Sequence, residues 1–372
     1  VKLKTGTQQN SLDPVFHSFL AFPFYPPETD ALHLKIIDKD FSSRNDDIGI
    51  AEIPFKDLCS RIGDEVTLDI QLEKKLKSVD GGKPSITIRL VKLESTVEPQ
   101  KITKEFFVIR HGESIWNEKQ ASKDIVGMVR KYDHELTKLG IEQAQMFNER
   151  WSNIANDPKL QNDDDLQAFL SASAIFASPL TRATQTALLT CKGHPFFTLS
   201  ESPLVLLRNL RECKNFGSFD TVGKYVGAGI EQNVKEKLTR DLKEDVAGDL
   251  LRVQIDPYDA VDSWWNPLQQ EESDEDIHRR FTKLWAFLRY GTQASTAILV
   301  GHSHFFRHMC KEHVSPEFRQ AEPEFTKNLD KHKLDNAGCL RITVEWDTAN
   351  DPMDHPVIHS ARLVFDSKLV KG

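Results

Sequence analysis

Cysteine is scarce in this chain and shows no pattern. The five residues Cys59, Cys191, Cys213, Cys310 and Cys339 are scattered over 372 positions, with no C-x-x-C pair. That excludes a disulfide framework and a zinc-finger ligand set, and predicts reduced, buried thiols. No apolar run approaches the ~20 residues that a membrane-spanning helix needs. No internal repeat or low-complexity tract stands out. Positive charge is not in excess either: the formal net charge of -8 argues against a general nucleic-acid binder, though not against a local basic patch. What is present, 39% hydrophobic and 28% charged residues, is ordinary globular composition, and the length suits two domains. A cytoplasmic protein is the default expectation.

The first hundred residues read as strands and turns. Ala31–Ile37, Ile48–Ile53, Val66–Leu72 and Ser85–Val91 are short alternating or β-branched runs, and Asp80-Gly81-Gly82 separates the last two. A further extended run, Phe19–Phe24, follows Ser11–Phe16. Such runs with Gly, Pro and Asp between them predict an antiparallel β-sandwich. Leu12-Asp13-Pro14-Val15-Phe16 and the loop from Asp38 to Gly49 resemble a C2 domain, the calcium- and lipid-binding module, with Phe16 where Trp is usual. The resemblance implies calcium ligands at Asp38, Asp40 and Asp46, hard oxygen donors on one loop. It also implies recruitment to an anionic membrane surface, and so a peripheral membrane location. The chain opens on Val1-Lys2-Leu3, which reads as mid-strand, so the sandwich is expected to be incomplete and its calcium site only half furnished. The expected boundaries are 1–94 for this domain, 95–104 for a polar linker and 105–372 for the rest.

Beyond the linker, strands and helices alternate. Phe106–Ile109, Ala174–Ala177 and Ala297–Val300 are short apolar runs of buried-strand character. Thr137 caps a predicted helix to about Ala155, Pro179 opens another, and Ser273–Tyr290 and Phe305–His308 read as helical. Gly338–Val344 and Val357–Phe365 are the last expected strands. This order predicts a three-layer α/β domain with a mostly parallel sheet, its ligand beyond the carboxyl ends of the strands. Three strands end directly at His111, Ser178 and His302.

Four ordered blocks carry the chemistry: Arg110-His111-Gly112-Glu113, Ser178–Thr186 with Arg182, Leu210-Arg211-Glu212, and Gly301-His302-Ser303-His304. Two arginines and two histidines can form a fixed positive pocket for a phosphoryl group, and a carboxyl group can protonate a leaving alcohol. With Ser114–Asn117 and Asp133–Thr137 between them, these blocks resemble the histidine phosphatase superfamily, phosphoglycerate-mutase-like branch. The resemblance implies a phosphohistidine at His111 that water hydrolyses. Arg110, Arg182 and a protonated His302 would hold the phosphoryl oxygens, with Asn117 and Ser303 as further contacts. Glu212 would be the general acid, with Asp220 in reserve. The alternative for Glu212 is a helix-end carboxylate paired with Arg208 or Arg211. No H-E-x-x-H pattern is present, and paired arginines would repel a cation, so no catalytic cofactor is expected.

The basic, glycine-rich segment of the mutases is not found after Glu212, which favours a phosphomonoester hydrolase over a mutase. A non-catalytic, membrane-associated adaptor that binds phosphorylated ligands is the third reading. An insertion at about 223–272, carrying Tyr225, Tyr258, Trp264 and Trp265, is expected to act as a lid over the pocket; the alternative is a helical patch packed on the core.

Overall fold

The computed structural model describes residues 31–38, 46–54, 57, 61, 64–72, 84–89, 101–129, 132–199, 202–214, 219–261, 263–265, 271–347 and 355–371. The chain divides into two units, and the described parts of each lie within 31–89 and 101–371.

In the first unit, β1 (Ala31–Asp38) pairs antiparallel with β2 (Asp46–Pro54), and β3 (Glu65–Asp69) pairs antiparallel with β5 (Ser85–Arg89). β4 (Gln71–Leu72) adds to β2. The run read as Val66–Leu72 is thus split at Ile70, and its two pieces join different sheets. Val66 and Ile53 are buried with Leu32, Leu68 and Ile88 against them, the alternate positions that a sandwich core requires. Asp38 and Asp46 are backbone partners at the mouth of the β1–β2 loop. Asp40 and the side chains of Asp38 and Asp46 lie outside the described residues, as do Phe19–Phe24 and Cys59.

The second unit begins with β6 (Lys101–Arg110), so Lys101–Lys104, read as linker, are strand. Then follow α1 (Ile115–Ala121), α2 (Ile125–Val129), α3 (Lys138–Asn156), α4 (Asp164–Leu170), β7 (Ile175–Ala177), α5 (Thr181–Thr190), α6 (Pro195–Leu199) and β8 (Leu204–Leu206). Next are α7 (Ala228–Asp241), α8 (Glu244–Arg252), β9 (Ile255–Asp256), α9 (Asp274–Ala286), β10 (Thr296–Gly301) and α10 (Ser303–His313). The chain closes with α11 (Pro316–Ala321), α12 (Pro323–Lys331), β11 (Lys333–Leu334), β12 (Cys339–Asp347), β13 (Val357–Val364) and β14 (Leu369–Val370). Seven strands form one sheet in the order β13-β12-β6-β10-β7-β8-β9. β6, β10, β7, β8 and β9 run parallel, while β12 and β13 are antiparallel additions at one edge.

Alternation along β6 explains the layers. Phe107 and Ile109 enter one core with α3, α4, α5 and α7, while Phe106 and Val108 enter the other with α9 and α10. Both faces being covered, the parallel strands read as unbroken apolar runs. Thr137 caps α3 as expected, its hydroxyl accepting from the Gly140 N–H at 3.0 Å. α5 starts at Thr181, two residues after Pro179, because Leu180 is still extended. The four cysteines among the described residues are free and buried; burial pushes the Cys191, Cys213 and Cys310 thiols up to about 12.

The 223–272 insertion is not a lid in its described part. Ile230, Val234 and Leu238 of α7, Leu250 of α8, Ile255 of β9 and Trp264 all lie in the first core, and β9 is the edge strand of the sheet. A segment that supplies sheet and core cannot swing without unfolding its neighbours.

Candidate active site

Register alone brings the distant blocks together. Gly301 pairs with Arg110, and Val300 with Ala177, so the residues after these strands, His302, His111 and Ser178, line one sheet edge. The His111 and His302 rings lie 5.0 Å apart between centroids. The next requirement is close approach of the loop after β6 to the start of α3. A Cβ on Gly112 would sit 2.5 Å from the Gly140 carbonyl oxygen, and one on Gly140 would sit 2.0 Å from the Glu113 oxygen. The need for glycine at 112 is therefore space, not a positive φ. Gly140→Ala is expected to cost about 3 kcal/mol, since the contact is backbone on backbone and cannot relax by a rotamer change; urea unfolding checks this, and a loss under about 0.5 kcal/mol would contradict it.

His111 is held as a nucleophile should be. Its Nδ1–H donates to the Gly112 carbonyl at 2.6 Å, which leaves the lone pair on Nε2, where it accepts from the Arg182 Nε–H at 3.3 Å. The Gly112 N–H donates in turn to the Thr186 hydroxyl at 3.0 Å, tying the loop to α5. Burial, then the charges of Arg182 and Arg110, hold this imidazole well below its usual 6.5, so the ring is neutral.

Both arginines are buried. Arg110 donates from Nη1 to the Leu334 carbonyl at 2.6 Å, while its Nε has no hydrogen-bond partner among the described residues. Burial lowers its guanidinium to about 10, with Glu212 and Asp335 acting the other way. Arg182, one residue into α5, donates to the Asp220 carbonyl at 2.8 Å and pairs with the Asp220 carboxylate at 3.4 Å. Asp220 therefore anchors an arginine. Asp133 fixes the same helix from below: its two oxygens take the Thr181 N–H and hydroxyl at 2.7 Å each, and Asn233 of the insertion donates to that hydroxyl. The sequence shows Asp133 only as part of the block Asp133–Thr137 and gives Asn233 no role, since the partners lie 48 and 52 residues apart.

His302 departs from expectation. Its Nε2 bonds the Ser178 hydroxyl at 2.8 Å, and its Nδ1 is buried without a partner among the described residues. Burial first, then Arg182, His111, Arg280 and Arg110, push it well below 6.5, which favours the neutral ring over the protonated one. A phosphoryl dianion brought beside it would act in the opposite direction. The sign of the stability effect follows. Both histidines stay neutral when folded but titrate near 6.5 when unfolded, so stability is full above that value and falls as the pH drops below it. Each contributes about 1.4 kcal/mol per pH unit until its folded pKa is reached. Urea denaturation of the wild type and His302→Asn at about pH 7.5 and about pH 5.5 tests this; equal acid losses in the two proteins would contradict it.

Glu212 is buried, and its oxygens face backbone amides. Oε1 accepts from the Cys213 and Phe305 N–H groups at 2.9 and 3.0 Å, and Oε2 from His304 N–H at 3.3 Å. It thus caps α10, the helix that follows His302. Arg211 pairs instead with Glu272 at 2.6 Å, and Arg208 with Asp259. Oε2 makes the single, longer bond of the two. Ser303 is the first residue of α10 at the pocket end. Asn117 spends its carbonyl oxygen on the Ser114 N–H and hydroxyl at 3.2 and 3.0 Å, which leaves its amide N–H groups for a ligand. The chemistry of this donor set is anion binding: orphaned buried Arg and His nitrogens need acceptors that a phosphoryl group has.

Two family profiles match parts of this chain. The histidine phosphatase superfamily (branch 1) profile matches residues 106–246, and the C2 domain profile matches residues 1–72. Phosphatidylserine decarboxylase proenzyme 2 of Saccharomyces cerevisiae is 33% identical over 78 residues; the match covers 19% of this chain and only 7% of that relative's length. A mycobacterial glucosyl-3-phosphoglycerate phosphatase shares 16% identity at a TM-score of 0.35, over 70% of this chain and 97% of the other. Phosphoglycerate mutase from Bacillus anthracis shares 17% at 0.34, over 70% and 93%. Likenesses this distant carry no weight for the reaction; the profile matches do the assigning. Residues 106–246 are thus matched by the histidine phosphatase superfamily (branch 1), and residues 1–72 before them by the C2 domain.

Proposed function

We propose that the second unit is a phosphomonoester hydrolase working through a phosphohistidine on His111. The observation that carries the reading is the Nδ1–H bond to the Gly112 carbonyl, which makes Nε2 the nitrogen that carries the lone pair, turned toward Arg182 among buried guanidinium groups. In the first step Nε2 bonds to phosphorus and the bond from phosphorus to the leaving oxygen breaks, while Glu212 Oε2 hands that oxygen a proton. In the second, water attacks phosphorus, the phosphorus–nitrogen bond breaks, and Glu212 takes the water's proton. Arg110, Arg182 and His302 hold the phosphoryl oxygens throughout, and electrostatic positioning supplies most of the rate. A panel of phosphomonoesters, with His111→Ala as the blank, tests the reading. Formation of phosphoryl-transfer isomers in place of inorganic phosphate would favour the mutase, and binding without turnover the adaptor.

Glu212→Gln separates acid from cap. Gln keeps one oxygen for the Cys213 and Phe305 amides but cannot give up a proton. The variant is expected to slow alkyl phosphates roughly a hundredfold and an activated aryl phosphate far less, since the aryl oxygen leaves unprotonated. Equal losses on both substrates would reduce Glu212 to its capping role.

The C2 domain is proposed to bring the enzyme to anionic membrane from the cytoplasm, with Asp38, Asp40 and Asp46 as the calcium ligands. Supporting this, the β1–β2 pairing sets Asp38 and Asp46 opposite one another where the acidic loop begins and ends. Bound calcium would supply charge for lipid phosphates, and takes no part in the phosphoryl chemistry. Titration calorimetry with calcium, with Asp40→Asn as the comparison, is the test: equal calcium uptake by both proteins would remove these ligands from the proposal.

A further inference from the structure

Glu272, the last residue of the insertion, joins two arginines around the segment that carries Glu212. Its Oε1 accepts from the Arg211 Nη2–H and its Oε2 from the Arg280 Nη1–H, each at 2.6 Å. Oε2 also accepts the Lys214 N–H at 3.0 Å, and the Glu272 N–H donates to the Lys214 carbonyl at 2.8 Å. Arg280, in the middle of α9, reaches with Nη2 the carbonyls of Asn209 and Arg211. Arg211 donates from Nη1 to the Arg208 carbonyl at 3.1 Å. The carbonyls of residues 208, 209 and 211 and both backbone groups of residue 214 are thus tied to one carboxylate and the two guanidinium groups it joins. Glu212 lies between those ties.

The same network touches the other support of Glu212. The Arg280 guanidinium lies 4.9 Å from the centre of the Phe305 ring, and the Phe305 N–H is one of the three amides that hold the Glu212 carboxylate. Stability alone is a poor account of this arrangement. Glu272 and Arg280 are buried, and taking such charges out of water costs about as much as their attraction regains; apolar side chains of equal volume are commonly no less stable. Two positive charges also face one negative. Burial and Arg280 lower the Arg211 guanidinium to about 10, with Glu272 acting the other way. What directional bonds to five backbone groups do supply is position. A general acid works only within hydrogen-bond reach of the atom it protonates, and a displacement of about 1 Å can cost about a hundredfold.

We propose that Glu272 is a positioning residue for the proton transfer: through Arg211 and Arg280 it fixes the 208–214 segment so that the Glu212 carboxyl meets the leaving oxygen. Glu272 itself touches no substrate and acts only through Glu212. The proposal rests on the hydrolase reading, because it needs Glu212 to be the acid.

The experiment uses the full chain and a double-mutant cycle of Glu272→Gln with Glu212→Gln, assayed on an alkyl phosphate and on an activated aryl phosphate. Gln at 272 keeps an oxygen for the Lys214 N–H but removes the charge that joins the arginines. Glu272→Gln is expected to lower kcat on the alkyl phosphate roughly tenfold or more, and to change KM and the aryl kcat less than about threefold. In the Glu212→Gln background the same substitution should cost nothing further on the alkyl phosphate, because its route to the substrate is gone. Thermal melting checks that each variant is folded. Should Glu272→Gln not fold, Arg211→Met carries the test: it leaves Glu272 and Arg280 as a neutral pair and should show the same selective alkyl loss at smaller size. Equal losses on both substrates in the folded variant, or losses that add in the double variant, would overturn the proposal. Selective alkyl loss in Glu212→Gln without it in Glu272→Gln would strike this proposal alone. Equal losses on both substrates in Glu212→Gln would strike the acid assignment, and this proposal with it.

Discussion

His111→Ala is expected to lower kcat by roughly three to six orders of magnitude, because it deletes the atom that bonds to phosphorus. No neighbour can substitute. His302 is the nearest imidazole, but its Nε2 is committed to Ser178 and its ring lies 5.0 Å from that of His111. A rapid quench during turnover of a labelled phosphomonoester should trap acid-labile, base-stable label on the wild type alone, and peptide mapping should place it on His111. The substitution keeps the Gly112–Gly140 contact and the Thr186 bond, both made by backbone of this loop, so the fold should survive. Full activity in His111→Ala, or label mapped elsewhere, would end the covalent proposal.

Arg182→Ala is expected to cost roughly a hundred- to a thousandfold in kcat/KM, the usual loss when one preorganised donor to a developing anion is removed. The guanidinium does two things at once. It faces the nucleophile through Nε at 3.3 Å, and it holds the Asp220 turn through Nη1 and Nη2. Arg182→Lys keeps the charge but has one point donor where three directions are needed, so it should recover little. Asp220→Asn leaves the backbone carbonyl bond and removes only the charged partner; it should raise KM while changing kcat less. Near wild-type kcat/KM in Arg182→Lys would mean that charge alone matters here and that the fork geometry is incidental.

Much of this molecule is written locally. Phe106–Ile109, Ala174–Ala177 and Ala297–Val300 announce strands buried on both faces, because uninterrupted apolar runs of that length leave no polar side for water. Thr137 and Ser273 mark helix starts by the hydroxyl each offers to an amide three residues on. The four chemical blocks, each within a few residues of a strand or helix end, point to the candidate anion-binding site because its side chains are fixed types at short spacings.

Only the tertiary structure decided the rest. It took Lys101–Lys104 into β6, split Val66–Leu72 between two sheets, and built the described part of the 223–272 insertion into the core instead of leaving it as a lid; a short segment cannot show which neighbour will cover it. It sent the Glu212 carboxylate to the amides of His304 and Phe305, 92 and 93 residues away, and Asp220 to Arg182. It left His302 neutral, because a protonation state is a sum over burial and every nearby charge. Strand and cap signals depend on residues a few places apart in the chain, and so the sequence by itself determined them. Partner choice and charge depend on groups that become neighbours only when β6, β10 and β7 bring their carboxyl ends to one edge.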